Sequence, residues 1–303
     1  MWQLRVAPLP RRTVRIVDHL AGRQGAACQM YTNVFLSAPW VVYSIKRRSA
    51  RTDTTSVFAL NLRTGRRRLL TRWSQTPTSA MVTLATDWSL SGGTVAWNKV
   101  SYRYNLFASR ITLQDLATGR ETPVVVTPYF TQTDPHAWGV KGVSLSGNRV
   151  VWTRTTAHSA NVMLYDRRTR RTVALTHDNI SLVGRIYGDT VAWLTNQRLI
   201  PEGTVHIRDL RTGRTAIMPA IGYNVSIGNG LVSWFAVGLP HTGVPIYFVR
   251  RHALRFCRPT AAEQAQGGHI TDVRIFGRTV LVPTILHFEN GLRWQPLFRL
   301  DIY

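Results

Sequence analysis

Histidines that stand beside carboxylates are the residues of this sequence best suited to chemistry. Six of the nine histidines lie in polar stretches: His136, His158, His177, His241, His269 and His287. Several have an acidic residue close by in the sequence: Asp134, Asp178, Asp272 and Glu289. Imidazole and carboxylate groups together could hold a divalent metal ion or supply the acid and base of a hydrolase or lyase. Their spacings match no metal-binding motif, so ordinary polar loops are the alternative.

Aromatic residues and arginines accompany these histidines and could form a recognition surface. The candidate ligand-binding residues are Arg47, Arg48, Tyr102, Tyr104, His136, Trp138, His158, His177, His269 and His287. Aromatic rings and guanidinium groups are the side chains that most often anchor a binding partner. Some of the aromatic residues could instead cover the core. The set predicts a site for a protein, peptide or glycan ligand.

Motifs of common enzymes are missing from the sequence. It has no Gly-x-Ser-x-Gly elbow, no His-Glu-x-x-His pair and no phosphate-binding glycine loop. The two cysteines, Cys28 and Cys257, lie far apart and lack metal-ligand spacing. We therefore expect no catalytic residue, no metal and no cofactor. A non-catalytic binding or scaffold role is favoured, with a hydrolase or lyase that uses a His/Asp site as the alternative.

The charge balance is strongly basic, with 38 lysines and arginines against 15 acidic residues and a formal net charge of +23. Only three of the basic residues are lysines: Lys46, Lys99 and Lys141. A field of this size attracts polyanions in a salt-dependent way. Many of the arginines follow one turn motif, and they are called the arginine rim below: Arg63, Arg66, Arg67, Arg68, Arg120, Arg167, Arg168, Arg170, Arg171, Arg211 and Arg214. The rim is either a solvated surface or a site for an anionic polymer.

A short motif that recurs along the chain defines the elements that must position these residues. The clearest copies open with a turn that contains Gly, Asn or Asp and continue as an alternating strand that ends in a large residue, as in Ser91 to Trp97. The copies end at Tyr43, Trp97, Trp152, Trp193, Trp234 and Val282. This pattern predicts a tight hairpin turn that enters a strand, and the repeat length is that of a propeller blade. The large residue is expected to pack between neighbouring blades.

A second motif follows each first one and reads Asp-Leu-x-Thr-Gly-Arg in its clearest copies. Copies lie at 61–66, 115–120 and 209–214, and they predict a strand, a tight turn and the next strand. The copy at 166–171 has Arg170 where the others have glycine. A left-handed backbone at that position would cost about 1 kcal/mol.

The repeats predict an all-β chain that forms a six-bladed β-propeller of four-stranded antiparallel blades in one domain, residues 1–303. The expected blades span 29–71, 81–127, 137–176, 179–218, 222–258 and 270–303. Residues 13–18 resemble the outer strand of a later repeat, so the N-terminal strand is expected to complete the last blade and close the ring.

The same assignment divides the connections between two surfaces. The two motif turns are short and share one surface, whereas the other connections are longer and share the opposite one. The longer connections are expected at 46–55, 72–80, 127–136, 195–203, 258–269 and 285–296. Long connections on a rigid scaffold usually carry function. The candidate ligand-binding residues lie in or beside these connections.

The glycine turn, the Val-x-Trp strand and the Asp-Leu-x-Thr-Gly-Arg turn resemble the repeats of TolB-type, or WD40-like, propellers. The resemblance covers the chain from about residue 11 to its end. It implies a six-bladed fold and partner binding in an extracytoplasmic setting. The family pattern has Ser-Pro-Asp-Gly at the first turn, where this chain has Ser91-Gly92-Gly93 and Ser146-Gly147-Asn148.

No segment approaches the roughly 18 apolar residues of a membrane span. The N-terminal stretch contains Arg5, Arg11, Arg12 and Arg15 and lacks the apolar core of a signal peptide. We expect a cytoplasmic protein if Met1 is the natural start, and an extracytoplasmic protein if the chain is a mature or truncated form.

Overall fold

The computed structural model confirms that the chain is built from antiparallel β-structure. It describes residues 2–6, 15–20, 28–48, 52–75, 81–103, 106–131, 134, 138–198, 202–228, 230–236, 244–249, 253–257, 269–270, 274–276, 279–286 and 295–302. These residues form strands and turns and include no α-helix. In this part of the chain, accordingly, no helix is long and apolar enough to cross a membrane.

The strands are β1 (Trp2–Val6), β2 (Arg15–Leu20), β3 (Cys28–Ser37), β4 (Trp40–Arg48), β5 (Asp53–Asn61), β6 (Arg67–Gln75), β7 (Met81–Ser91), β8 (Thr94–Arg103), β9 (Leu106–Asp115), β10 (Glu121–Val126), β11 (Phe130–Thr131), β12 (Gly139–Ser146), β13 (Arg149–Thr155), β14 (Ala160–Asp166), β15 (Arg171–Ala174), β16 (Ser181–Tyr187), β17 (Thr190–Thr195), β18 (Glu202–Asp209), β19 (Thr215–Gly228), β20 (Leu231–Ala236), β21 (Val244–Phe248), β22 (Ala253–Cys257), β23 (His269–Ile270), β24 (Arg274–Phe276), β25 (Thr279–Leu286) and β26 (Gln295–Ile302).

The chain divides into two compact units. The first contains Met1–Thr86 and Leu90–Gln132, and the second contains Asp87–Ser89 and Thr133–Tyr303. In the first unit, strands β3 to β6 pair in chain order, and β7 to β10 do the same with β11 added beside β9. Each of these sheets corresponds to one predicted repeat. The single-domain organisation that the repeats suggested stays a prediction.

The second unit contains three sheets. Strands β12 to β15 form a four-stranded sheet in chain order. Strands β16 to β22 form one seven-stranded sheet, because β19 pairs with β18 on one side and with β20 on the other. The sequence predicted two separate strands here, one before Met218 and one after Gly222. In the last sheet, β25 pairs with β26 and with two short strands, β23 and β24.

The described part of the N-terminal strand pairs with the strand that precedes it in the chain. Strand β2, which contains most of residues 13–18, pairs with β1 in a separate two-stranded sheet. The last sheet is built from β23, β24, β25 and β26, and β2 is not among its described strands. A partner close in sequence needs only a short loop to be closed, which costs less entropy than pairing the two ends of the chain. Completion of the last blade by residues 13–18 stays a prediction, because residues 13 and 14 lie outside the described set and β1 occupies one edge of β2.

The two sequence motifs are hydrogen-bonded to each other in successive sheets. The N–H group that follows the third strand donates to a carbonyl of the first hairpin turn. The bonds are Leu62 N to Pro39 O at 2.7 Å, Leu116 N to Gly93 O at 2.8 Å, Arg167 N to Asn148 O at 2.8 Å, Leu210 N to Asp189 O at 2.7 Å and Val249 N to Gly230 O at 2.9 Å. The two motif turns therefore lie at the same end of each sheet, as predicted.

The acidic residue of the second motif organises its turn. Asp209 Oδ1 accepts hydrogen bonds from the N–H groups of Arg211 and Thr212, at 2.8 Å and 3.3 Å. Asp166 Oδ1 does the same in its own turn, and these backbone bonds lower the pKa of the Asp166 carboxyl. The turn then passes through a left-handed residue, which is Gly213 at φ 72° in one copy and Arg170 at φ 56° in another. The expected strain at Arg170 is therefore present.

The large residues that end the first motif are core residues. Tyr43, Trp97, Trp152, Trp193 and Trp234 are all at most 5% exposed. Trp193 shares a cluster with Val151 and Val162 of the preceding sheet, so it packs between two sheets. These contacts confirm the packing interpretation of the motif. Val282, the sixth position, has a side chain outside the described set.

Side chains on the first strand of one sheet accept hydrogen bonds from backbone N–H groups at the first strand of the following sheet. In the first unit, Ser37 Oγ accepts from Gly92 N at 2.8 Å. In the second unit, Ser144 Oγ accepts from Ile186 N at 3.0 Å and Ser146 Oγ from Gly188 N at 2.8 Å. These bonds satisfy N–H groups that have no strand partner on that side.

Replacing Arg170 with glycine should stabilise the protein, because glycine adopts a positive φ without the steric cost that arginine carries. We expect Arg170→Gly to raise the free energy of unfolding by about 1 kcal/mol, measured by equilibrium urea denaturation. Arg168 lies in the same turn without a positive φ. The control Arg168→Gly should therefore be neutral or destabilising, and equal effects of the two changes would contradict the prediction.

Removing the Ser144 hydroxyl should destabilise the protein, because the Ile186 N–H would be left buried without an acceptor. We expect Ser144→Ala to lower the free energy of unfolding by about 1 to 3 kcal/mol. Ser146→Ala is the matched control, since water can replace its exposed hydrogen bond to Gly188 N. Amide hydrogen exchange should speed up at Ile186 in the first variant only. A loss of stability that is the same in both variants would refute the role of burial.

Candidate functional site

The structure distributes the predicted ligand-binding residues over both units. Arg47 and Tyr102 belong to the first unit, where both are exposed. Trp138, His158 and His177 belong to the second unit. The remaining predictions fall wholly or partly outside the described residues: Tyr104, His136 and His287 entirely, and Arg48 and His269 in their side chains.

Two connections expected to be long contain strand residues in their described parts. The segment 46–55 contains the end of β4 and the start of β5, so Arg47 pairs with Thr54 in a ladder and does not lie in a loop. The segment 72–80 likewise begins with the end of β6. Lys46 Nζ lies 2.9 Å from Asp53 Oδ2, and this cross-strand ion pair together with the β-branched threonines favours extension of the hairpin. The polar composition had suggested a loop.

A hydrogen-bonded connection between β15 and β16 forms the centre of a candidate site in the second unit. Asn161 Nδ2 donates to Asn179 Oδ1 at 2.8 Å, and Asn179 N donates to Asn161 Oδ1 at 3.1 Å. Asn179 has φ 63°, a conformation that asparagine tolerates better than most residues. The amide pair ties the connection to the start of β14. His177 and Asp178 are consequently exposed on a fixed segment.

His158 lies in a tight turn next to the same amide pair. Thr156 Oγ1 accepts from His158 N at 3.2 Å and from Ser159 N at 2.9 Å, and these bonds define the turn between β13 and β14. The side chain of His158 is exposed. His158 therefore lies three residues after the end of β13 at Thr155 and close in sequence to Asn161, at the end of the sheet where the connection at Asn179 lies.

Trp138 and Arg154 add an aromatic and a cationic group to this surface. The guanidinium carbon of Arg154 lies 4.7 Å from the centre of the Trp138 ring, in a cation–π contact. Arg154 is exposed and pairs with Asn161 in the β13–β14 ladder. We call Trp138, Arg154, His158, His177 and Asp178 the loop surface. Arg154 pairs with Asn161 in the ladder, and the Asn161–Asn179 hydrogen bonds join this strand to the segment that carries His177 and Asp178.

A partly buried histidine lies behind the loop surface. His206 Nε2 is 2.9 Å from Thr195 Oγ1, and the imidazole stacks on Trp193 with ring centres 5.3 Å apart. Burial lowers the pKa of His206, and the nearby Asp178 carboxylate opposes that shift. Asp178 itself accepts hydrogen bonds from Ser181 Oγ at 2.8 Å and from Ile180 N at 3.0 Å. A neutral imidazole beside a carboxylate could act as an acid or a base.

Sequence reasoning missed Arg154, Asn161, Asn179 and His206 as site residues. His206 stands in β18 between Val205 and Ile207. A histidine between two apolar residues of a strand was the signal that could have found it. The asparagines had no such signal. Their role depends on two segments, one on β14 and one after β15, that only the folded sheet brings together.

The arginine rim is largely exposed, but some of its members pack against protein groups. The guanidinium of Arg67 lies 3.8 Å from the ring centre of Phe58. The Arg68 guanidinium lies so close to Gly119 that a side chain there would collide with it. Arg167 Nη1 donates to Gly147 O at 3.3 Å. These contacts give part of the rim a structural role.

Within the described residues, no three His, Cys, Asp or Glu side chains are grouped so that they could hold a metal ion. No family model and no curated protein matches the sequence. Solved structures do match. An oligogalacturonate lyase in complex with manganese is 12% identical, with a TM-score of 0.59 over 99% of this chain and 82% of its own.

Two further solved structures show the same fold similarity. An oligogalacturonate lyase from Vibrio parahaemolyticus is 9% identical, with a TM-score of 0.56 over 98% of this chain and 82% of its own. A prolyl endopeptidase is 14% identical, with a TM-score of 0.57 over 92% of this chain and 40% of its own. The protein therefore has a β-propeller fold. The number of blades and the narrower TolB-type assignment stay predictions.

The stability of the protein should depend on pH through His206. Its folded pKa lies below the unfolded value of about 6.5, so the unfolded chain takes up the proton first. The contribution of neutral His206 to the free energy of unfolding is fully present above the unfolded pKa and is lost as the pH falls toward the folded pKa. His206→Gln should reduce the loss between about pH 7.5 and about pH 5.5, measured by urea denaturation. In the exposed control His177→Gln, the free energy of unfolding should fall with pH as it does in the wild type. The prediction is contradicted if it falls by the same amount in His206→Gln.

Proposed function

We propose that this protein is a non-catalytic β-propeller module that binds a ligand through the loop surface. One observation carries the proposal: the connection that presents His177 and Asp178 is tied to β14 by the reciprocal Asn161–Asn179 bonds. A surface that is held rigid before binding loses little conformational entropy when the ligand arrives. His158 and His177 are exposed and make no contribution to the core.

The chemistry of the loop surface suits a polar ligand with at least one acidic group. Arg154 supplies a guanidinium, Trp138 an apolar ring and the histidines supply donors or acceptors. A protein, a peptide or a glycan could provide the complementary groups. The competing hypothesis is that an anionic polymer binds to the arginine rim.

A screen followed by variants tests the proposal. The full chain is first screened against arrays of neutral and acidic oligosaccharides and of synthetic peptides. For the strongest hit, the triple variant Arg154→Ala, His158→Ala and His177→Ala should weaken binding by at least about tenfold, roughly 1.4 kcal/mol, because it removes the guanidinium and both imidazoles. Its thermal unfolding temperature should stay close to that of the wild type, because these residues are exposed.

The matched control neutralises three residues of the rim on the same unit: Arg168→Ser, Arg211→Ser and Arg214→Ser. This control should retain binding of the hit. Loss of binding in the control, with binding intact in the loop-surface variant, would move the site to the rim. A steep fall of affinity with salt would then identify charge as the mechanism.

The second candidate function is that of a hydrolase or lyase, and His206 is the observation that favours it. The imidazole is partly buried, its pKa is lowered by burial, and it lies within electrostatic reach of Asp178. The solved structures of similar fold include two oligogalacturonate lyases and a prolyl endopeptidase, but at 9 to 14% identity they support the fold alone. Mass spectrometry of each hit after incubation would detect cleavage. Cleavage that His206→Gln abolishes, while binding persists, would replace the binding proposal with catalysis.

A further inference from the structure

A second candidate site lies away from the loop surface, where two first strands of the second unit are irregular. The pairing register of β12 shifts between Lys141 and Val143, and Gly142 there has φ 58°. The register of β16 shifts between Leu182 and Arg185. Val183 in that segment has φ 55°, which is rare for a β-branched residue. Unusual backbone of this kind clusters at functional sites.

The two irregular segments bring an arginine and an aspartate together. Asp87 Oδ2 accepts a hydrogen bond from Val143 N at 2.9 Å, and Arg185 Nη1 lies 3.7 Å from the same oxygen. The side chains are 28% exposed for Arg185 and 30% for Asp87. A Cβ at position 142 would lie 3.1 Å from Arg185 Nη1. The lack of a side chain at Gly142 therefore lets the guanidinium lie close to the backbone of β12.

The guanidinium of Arg185 is under-satisfied in this position. Its Nη1 atom is buried and has no hydrogen-bond partner among the described residues. The separation from Asp87 is too long for a hydrogen bond, which requires about 3.2 Å or less. Leaving a buried charged donor unpaired costs more than leaving a neutral one. Arginine presents its N–H groups in a planar fork that matches the two oxygens of a carboxylate.

We propose that Arg185, Asp87 and Gly142 form a binding site for a carboxylate that has a hydrogen-bond donor on the adjacent carbon. Gly142 lets the guanidinium lie beside Asp87, and Arg185 binds the carboxylate on the exposed part of its side chain. Asp87 uses Oδ2 for Val143 N, and its other oxygen accepts from the hydroxyl or ammonium group of the ligand. The ligand class is a 2-hydroxy acid or a 2-amino acid, either free or at the end of a larger molecule.

Titration of the full chain with small probes tests the site. The probes are glycolate, glycine and acetate, and binding is followed by calorimetry and by the shift of the thermal unfolding temperature. Glycolate or glycine should bind at least about tenfold more tightly than acetate, because only these two offer a donor to Asp87. Whichever of the two binds more tightly identifies the donor as a hydroxyl or an ammonium group. Arg185→Lys should weaken that binding by about tenfold or more, since lysine lacks the planar fork.

Two further variants separate binding from a purely structural role. Asp87→Asn should remove the preference for the stronger probe over acetate. Arg149→Lys is the matched control, because Arg149 is a half-buried arginine of the same unit that pairs with Asp189, and this variant should bind the probes like the wild type. The proposal is overturned if the wild type shows no saturable binding of glycolate or glycine. It is also overturned if Arg185→Lys changes stability equally with and without the probes.

Binding of the probes at Arg185 can be tested separately from ligand binding at the loop surface. The loop-surface variant Arg154→Ala, His158→Ala and His177→Ala should bind glycolate and glycine as the wild type does. Loss of probe binding in that variant would place the probes at the loop surface and overturn the second site.

Discussion

Each unit depends on hydrogen bonds between the first strands of successive sheets. Backbone N–H groups at the first strand of one sheet donate to side chains on the first strand of the sheet before it. A first strand is paired on one side only, so alternate N–H groups on its other side have no strand partner. In the second unit, Asp87, Ser89, Ser144 and Ser146 accept from four such groups, on Val143, Leu145, Ile186 and Gly188. These acceptors set the register between neighbouring sheets, and the tryptophans then fill the space between them.

The same constraint explains where the chain can depart from regular structure. A strand whose outer N–H groups must meet fixed acceptors cannot change its register near the hairpin turn. The register shifts instead farther from the turn, at Gly142 in β12 and at Val183 and Gly184 in β16. Gly184 has no alternative residue, because a Cβ there would lie 2.7 Å from Val151 Cγ1 and 2.8 Å from Val162 Cγ1. Close packing between sheets therefore concentrates irregular backbone in a few positions, where Asp87 and Arg185 meet.

Rigid connections, and not long ones, carry the candidate loop surface. The expectation from sequence was that length marks function, yet the segment with His177 and Asp178 is short and held by Asn161 and Asn179. Two segments expected to be long loops contain strand residues in their described parts, at 46–48 and 53–55 in one and at 72–75 in the other. A polar composition is compatible with both outcomes, because an exposed hairpin end and a loop are solvated alike. Which one forms depends on cross-strand pairs such as Lys46 with Asp53.

The sequence by itself determined the β-propeller fold, the two motif turns and the burial of Trp97, Trp152, Trp193 and Trp234, because these follow from local backbone preferences and period-two alternation. It also located the strain at Arg170, since one position in a repeated turn requires a positive φ. Only the tertiary structure decided that Trp138 stacks with Arg154, that Asn161 holds Asn179 and that Arg185 faces Asp87. Each of these contacts joins residues from different strands or sheets. Their distances depend on register and on packing between sheets, which no local pattern encodes.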